Sequence, residues 1–197
     1  MIESQRLYLR KWKDEDIVPF TAMNTCPKVM QHMPGYLSES ESQAWVGRIR
    51  DHFAAHGYGL FAVERKDSGA FIGYVGIQHV SFDAPFTPAV EIGWRIAADH
   101  WGHGFAPEAA WHVLDHAFTH TAIDEIVSLT ILANAQSRRV MEKIGMQRDE
   151  NGDFDHPRLP EGHHLRPHIL YRMTQDDWAS INAMPDWVTL NEIDGKQ

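Results

Sequence analysis

One stretch of the sequence decides the fold: Glu91-Ile92-Gly93-Trp94-Arg95-Ile96, followed after four residues by Trp101-Gly102-His103-Gly104-Phe105-Ala106-Pro107. The first part ends a predicted strand over 89–96, and the second part leads into a predicted helix with an apolar face at helical spacing. Two glycines between a strand and a helix amino terminus leave backbone N–H groups free to point at one anion. Pro107 supports the helix start, because its missing N–H needs no partner there. The stretch therefore predicts a pyrophosphate-binding turn.

Two other phosphate-binding motifs do not fit this stretch. A Rossmann site expects three glycines near the first strand and an acidic residue at the end of the second. A Walker-type loop requires Lys and then Ser or Thr after the second glycine, where this chain has Phe105 and Ala106. A tight turn without a ligand is the remaining alternative from these residues alone.

The rest of the chain predicts one mixed sheet with interspersed helices. Predicted strands cover 7–9, 60–64, 71–79, 89–96, 124–132, 146–150 and 167–173. Predicted helices start at Asp14 or Asp16, at the capping box of Ser38 and Glu41, after the glycine turn, and at Ala135. Because strand and helix alternate in the second half, the strands at 89–96 and 124–132 are expected to be parallel. A polar loop is expected from Asn151 to about Pro160.

Composition restricts the possible partners and the compartment. The 197 residues are 43% hydrophobic and 23% charged, which is typical of one globular domain. A formal net charge of −9 argues against nucleic acid as a partner, since such binding depends on clustered Lys and Arg. The single cysteine, Cys26, cannot form an internal disulfide, and no signal peptide or membrane-spanning apolar window is visible. These features predict a soluble cytoplasmic protein without nucleic-acid or membrane partners.

Four motifs in order resemble one enzyme family. They are Arg6-Leu7-Tyr8-Leu9-Arg10, the stretch from Glu91 to Ala109, Asn134 with Ser137 and Val140–Met146, and His168–Met173. Together they resemble the GNAT acetyltransferases, and most closely the branch of ribosomal-protein serine and alanine N-terminal acetyltransferases. The resemblance covers residues 5–178, and the tail 179–197 has no counterpart. Trp101 departs from the Gln or Arg usual in the wider superfamily, which removes a side-chain donor but leaves the backbone turn intact.

The resemblance implies both a fold and an activity. The fold would be α/β (α+β), with a mixed central sheet of about six to seven strands, helices on both faces, and a single domain over 1–197. The activity would be transfer of acetyl from acetyl-CoA, as co-substrate, directly to a primary amine in a ternary complex, without a metal. The acceptor would be a protein N-terminus or a small-molecule amine. The alternatives are a non-catalytic acyl-CoA-binding or regulatory module and a structural dimer module; a homodimer is compatible with either.

The same resemblance assigns the residues that would hold CoA. Backbone N–H groups of Trp94, Arg95 and Ile96 would polarise the thioester carbonyl. The turn would hold the pyrophosphate with Trp101, Gly102, His103, Gly104, Phe105 and Ala106. Asn134 would reach the pantetheine arm or cap the following helix, and Ser137 would lie beside the leaving sulfur.

Three residues are candidates for proton transfer, ranked Ser137, Glu91 and Tyr171. Ser137 would hydrogen-bond the leaving sulfur, or else only satisfy a backbone group in its helix. Glu91 would accept the amine proton, directly or through water, or else be a solvent-facing strand residue. Tyr171 would protonate the thiolate, or else be an aromatic residue of the core.

Several other polar residues are weaker candidates. His112, His116 and His120 share one helix face, and a solvated stripe explains them better than a metal site. The late histidines, His163, His164 and His168, would line the acceptor cleft or lie in a plain loop. Cys26 could be an acyl-carrying nucleophile, but it is far from the motif. Acceptor recognition is assigned to 33–56, to the loop 81–88 and to the late histidine loop.

Overall fold

The structure is a computed structural model that describes residues 1–181 and 185. Its strands are β1 (Ile2–Glu3), β2 (Leu7–Arg10), β3 (Leu60–Arg65), β4 (Phe71–His79), β5 (Val90–Ile96), β6 (Glu125–Thr130), β7 (Gln147–Asp155) and β8 (Pro167–Thr174). Its α-helices are α1 (Ile17–Asn24), α2 (Pro27–Met30), α3 (Glu39–His56), α4 (Phe105–His120), α5 (Ala135–Lys143) and α6 (Gln175–Ala179). The tail expected over 179–197 lies mostly outside the described residues.

One mixed sheet contains all eight described strands, in the order β1-β2-β3-β4-β5-β6-β8-β7. Every neighbouring pair is antiparallel except β5 and β6, which are parallel as predicted. The mixed sheet is confirmed, and it exceeds the expected six to seven strands because β1 adds an edge strand. That strand is two residues long, paired through Ile2 and Leu9, and is too short to give an alternating pattern.

Helices cover both faces of the sheet, as expected. On one face, Val75 and Ile77 of β4 join a core cluster with Val113 and Leu114 of α4. On the other face, Tyr74 joins a second cluster that includes Phe20 of α1 and Val46 and Ile49 of α3. The period-two alternation along β4 thus sends successive side chains into two different cores.

Local signals in the sequence explain the ends of α3. The Ser38 hydroxyl accepts the Glu41 N–H, and the Glu41 carboxylate accepts the Ser38 N–H, so the predicted capping box is confirmed. Gly57 ends the helix in the left-handed region at φ 78°, where glycine has no steric penalty. The helix therefore starts and stops where the residue types favour it.

The end of the sheet differs from the expectation. Residues 151–155 were expected in a loop, but β7 continues through them to Asp155. A register shift between Asp149 and Phe154 absorbs the polar residues, and the strand then pairs Phe154 with His168. The Phe154 ring also packs against Phe86, with ring centroids 4.9 Å apart. Tertiary packing of Phe154 therefore extends a strand that its polar neighbours disfavour.

Over the described residues, no helix is both long and apolar enough to cross a bilayer.

Candidate functional site

A gap opens between the two parallel strands in the middle of the sheet. Pairing between β5 and β6 is limited to Val90 with Ile126 and Glu91 with Val127. Beyond this point, residues 92–96 remain paired with β4 but not with β6. The buried Ser128 hydroxyl donates to the Ile92 carbonyl at 3.0 Å and so joins the two strands where they begin to diverge. The gap therefore exposes one edge of β5 inside the sheet.

Backbone groups of β5 point into this gap. The Ile92 carbonyl faces β6, whereas the Ala97 N–H donates to Ile72 of β4 at 2.8 Å. Because successive residues of a strand direct their N–H and C=O groups to alternate sides, the N–H groups of Trp94 and Ile96 face the gap. The backbone of Arg95 faces β4 instead. Of the three predicted donors, two are thus directed at the gap and Arg95 is turned away from it.

The glycine turn lies at the end of this strand. Gly102 and Gly104 have φ of 81° and 76°, the left-handed region in which a side chain would be strained. Gly104 precedes α4, and no side chain caps that helix, so the N–H groups of its first turn are directed outward at the positive end of the helix dipole. Pro107 is the third residue of α4 rather than the first, which is still within that turn. This geometry suits an anion.

The side chain of Trp101 joins the turn to the strand. Its indole N–H donates to the Ile96 carbonyl at 2.7 Å. The ring also packs beside the small cluster formed by Met23, Val29 and Met30. Trp101 therefore positions the turn, and its one polar group is already used within the protein.

A buried ion pair holds the turn from below. Glu108 of α4 is fully buried, and its carboxylate accepts hydrogen bonds from the Ser4 hydroxyl at 2.7 Å and from Nε of Arg6 at 2.6 Å. Arg6 also donates to the His103 carbonyl at 2.8 Å, and its guanidinium lies 4.6 Å from the centre of the Phe105 ring. The amino-terminal segment thus fixes the turn, a role that the sequence pattern alone did not assign to either charged residue.

The next helix brings the other two predicted CoA residues together. Asn134 caps α5, since its side-chain oxygen accepts the Ser137 N–H at 3.2 Å. This confirms the cap, and it leaves the Asn134 amide nitrogen and the Ser137 hydroxyl available as donors. Both side chains are half-buried, so they are accessible to a ligand while fixed at the helix start.

Glu91 lies on the face of β5 that is turned toward α1 and α3, and it is half-buried. Its carboxylate accepts one hydrogen bond from the Gln78 amide at 2.7 Å. Burial raises the pKa of Glu91, while this hydrogen bond and the charge of Arg158 act in the opposite direction. A carboxylate held by a neutral amide in a partly dry environment is suited to accept a proton at near-neutral pH.

Arg95 lies on the same face as Glu91 and starts a polar chain into the second core. Its guanidinium donates to Asn24 at 2.5 Å and lies 5.6 Å from the Tyr74 ring centre. Asn24 in turn donates to Ser42 at 2.9 Å, and both of these side chains are fully buried. The space between Glu91 and Arg95 is left open by Gly93, where an added Cβ would meet nothing within 4 Å.

Tyr171 is a buried strand residue with a defined partner. Its side chain is 5% exposed, and its hydroxyl donates to the Glu142 carboxylate at 3.3 Å. Burial and the Glu142 charge raise the pKa of the hydroxyl, which therefore holds its proton. It also packs within the main core, which is the second of the two roles expected for it.

The loop 81–88 and the late loop meet in one aromatic cluster. This aromatic cluster comprises Phe82, Phe86, Phe154, His156 and His168, and the centroids of neighbouring rings are 4.5 to 6.4 Å apart. Arg158 donates to the Ser81 hydroxyl at 2.9 Å and ties the two loops together. A cavity of about 390 Å³ lies beside the cluster, lined by Leu132, Asp153, Phe154, Asp155, Pro167, His168 and Ile169.

The remaining sequence candidates are separated from this arrangement. His112, His116 and His120 follow one another along α4, partly or fully exposed. His163 accepts the Leu165 N–H within its own loop at 3.1 Å, whereas His168 joins the aromatic cluster. Cys26 is half-buried beside the small cluster of Met23, Val29 and Met30.

Comparisons with known proteins identify the family. The family model described as an acetyltransferase (GNAT) domain matches residues 6–147. The uncharacterized protein YkkB of Bacillus subtilis is 33% identical over 144 residues, which are 73% of this chain and 83% of that protein. The uncharacterized N-acetyltransferase YnaD of the same organism is 27% identical over 178 residues, covering 90% of this chain and 98% of that protein.

A solved structure shares the fold. RimJ of Mycobacterium smegmatis, in complex with CoA-disulfide, superposes with a TM-score of 0.69 at 23% identity, covering 87% of this chain and 83% of that chain. With a sheet that opens between its parallel strands and a glycine turn before α4, the chain belongs to the GNAT acetyltransferase family and is an acyltransferase.

Proposed function

We propose that this protein transfers the acetyl group of acetyl-CoA to a primary amine by direct attack in a ternary complex. The observation that carries the proposal is the gap beside β5, which ends at an anion-binding turn without a side-chain cap. An extended thioester arm fits an exposed strand edge, and a pyrophosphate fits the turn. We propose a single domain over 1–197, of which residues 5–178 are the part matched by the family motifs.

CoA would be held mainly by backbone groups. The N–H groups of Trp94 and Ile96 would bind the pantetheine arm and the thioester carbonyl, where they would stabilise the developing oxyanion. Residues 102–106 would bind the pyrophosphate. Asn134 and Ser137 would contact the arm from the opposite wall. Because most of these donors are fixed by the sheet and by helix starts, little ordering is needed on binding.

Starting from the ammonium form, the nitrogen loses one proton before attack and a second after its bond to the acetyl carbon forms, and the departing sulfur gains one proton. Glu91 would accept the ammonium proton, directly or through a water molecule. The amine nitrogen then forms a bond to the acetyl carbon, and the carbon–sulfur bond breaks. Ser137 would hydrogen-bond the departing thiolate, with Tyr171 as the alternative proton donor. Holding amine and thioester together supplies most of the acceleration.

The acceptor amine would enter on the face that carries Glu91 and Arg95. We assign the aromatic cluster to the wall of this entrance, because Arg158, whose guanidinium lies 5.7 Å from the Phe82 ring centre, also acts through its charge on Glu91. Aromatic rings and imidazoles bind both apolar amines and cations through their faces. This environment suits a small-molecule amine or a protein N-terminus. Assays with both kinds of amine would distinguish these two acceptors.

The test is release of free thiol from acetyl-CoA with a panel of polyamines, amino acids and peptides. Wild type is expected to turn over at least one acceptor, and Glu91→Gln to lower kcat by about 100-fold with little change in the Kd for CoA. Glu125→Gln is a matched control, since Glu125 is a half-buried strand carboxylate paired with Arg172. CoA binding without turnover of any acceptor would support the non-catalytic module instead.

A further inference from the structure

Three histidines from two elements meet at one edge of the molecule. His52 and His56 are one turn apart near the end of α3, and His79 is the last residue of β4. One side-chain nitrogen from each residue lies within 4.8 Å of the other two. The ring centroid of His56 lies 4.5 Å from that of His52 and 4.6 Å from that of His79. We call these three residues the histidine triad.

Tyr58 orients two of the three rings. The Tyr58 carbonyl can only accept, so Nδ1 of His52, 2.9 Å away, carries the proton. Nε2 of His52 is then unprotonated, and it accepts the His79 N–H at a long 3.2 Å. The Tyr58 hydroxyl is hydrogen-bonded to Nε2 of His79 at 2.9 Å. A backbone carbonyl that fixes the tautomer of a histidine is the usual support of a metal-binding imidazole.

The chemistry of the triad selects a class of ion. Neutral imidazole nitrogens suit zinc, copper, nickel and cobalt, whereas magnesium and calcium require oxygen ligands. His56 and His79 are exposed, and their rings would have to rotate for the three nitrogens to lie about 2.1 Å from one ion.

We propose that His52, His56 and His79 form a binding site for one late transition-metal ion of the zinc class. The site would have three protein ligands and leave a further position open to water. Its place in the fold is next to the reaction centre, because His79 directly follows Gln78, which holds Glu91. The ion would link the end of α3 to the end of β4. This proposal departs from the expectation of no metal.

The experiment measures zinc binding by untagged, full-length protein from which metal has been removed by a chelator. Isothermal titration calorimetry without acetyl-CoA is expected to show one saturable site in wild type. His56→Ala and His79→Ala should each weaken the Kd by about tenfold or more. Zinc should also raise the Tm of wild type and not that of the variants. Because both side chains are exposed, the variants should unfold like wild type in the presence of EDTA.

His120→Ala is the matched control. His116 and His120 are also one turn apart on a helix, with ring centroids 4.6 Å apart, but among the described residues they do not belong to a group of three possible ligands. This variant should bind zinc like wild type. The proposal is overturned if wild type shows no saturable site, if neither triad variant weakens binding, or if His120→Ala weakens it equally. Since the readout is zinc binding, it is independent of whether acetyl transfer is observed.

Discussion

Two carboxylates close to the proposed donor site differ in their partners, and the difference assigns them different roles. Glu108 is fully buried and is surrounded by Arg6, the Ser4 hydroxyl and a backbone N–H, so its charge is compensated. Glu91 receives a single hydrogen bond from the neutral amide of Gln78. A carboxylate whose charge is paired, such as Glu108, stabilises the fold. A carboxylate with a raised pKa, such as Glu91, can accept and release a proton during the reaction.

The raised pKa of Glu91 predicts a dependence of both activity and stability on pH. As the base must be ionised, kcat should fall as pH decreases through the raised pKa, which is a higher pH than for an ordinary glutamate. Since the folded pKa exceeds the unfolded one, stability is greatest below the unfolded pKa and decreases as pH rises through the folded pKa. Glu91→Gln removes this decrease, so its Tm should exceed that of wild type by about 2 °C at neutral pH.

Thermal unfolding at neutral and acidic pH checks this prediction. The difference in Tm should vanish in acid, where Glu91 is protonated in both folded and unfolded protein. Glu125→Gln should not show a gain at neutral pH, because it loses its ion pair with Arg172. A Tm of Glu91→Gln below that of wild type at both pH values would show that the carboxylate stabilises the fold.

At the scale of elements, the starts of three helices explain which of them can receive a ligand. Ser38 caps α3 and Asn134 caps α5 with side-chain oxygens. The start of α4, after Gly104, has no such cap. A helix start without an internal acceptor keeps its N–H groups for an external anion. The buried Glu108 in the first turn of α4 does not repel such an anion, because its charge is paired with Arg6.

The two capped helices supply a matched pair of variants. Ser38→Ala and Asn134→Ala should each lower the free energy of unfolding by about 1 kcal/mol, since each removes a cap. Only Asn134→Ala should also weaken the Kd for CoA, because Asn134 lies at the proposed pantetheine arm and Ser38 begins a helix on the acceptor side. Denaturant unfolding and CoA titration measure the two effects separately. Equal CoA affinity in both variants would remove Asn134 from the binding site.

At the scale of the whole molecule, the sheet is continuous except where β5 and β6 separate. Strand pairing satisfies the backbone on both sides of the gap, through β4 with β5 and β6 with β8. Among the described residues, the edges of β5 and β6 that face the gap are therefore without strand partners, and the β5 edge offers backbone N–H donors to a ligand.

This topology predicts where CoA changes hydrogen exchange. Saturating CoA should slow exchange at the N–H groups of Trp94 and Ile96 and across 102–106, because bound ligand replaces water at those groups. The N–H groups of Val63 and Val75, inside the paired part of the sheet, should not change. Mass spectrometry or NMR gives the measurement. Protection spread evenly over the sheet would indicate global stabilisation rather than binding in the gap.

The sequence by itself indicated most of the helices and strands and a turn suited to an anion. Residue spacing along the chain was enough to predict the Ser38 capping box, the turn at Gly102 and Gly104, and the Asn134 cap. Each of these is a local signal within one turn of backbone. The parallel pairing of β5 with β6 followed from alternation of strand and helix. The family motifs added the identity of the anion, which local patterns alone left open.

Only the tertiary structure decided which distant residues meet. The contact of Arg6 with Glu108 spans 102 positions, and no local pattern indicates it. The histidine triad likewise needs His79, from a strand, to lie beside His52 and His56, which are one turn apart on α3. The extension of β7 through Asp155 depends on packing of the Phe154 ring against Phe86, which is distant in the sequence. Local signals fix backbone conformation, whereas charge compensation and side-chain clusters depend on how the elements pack.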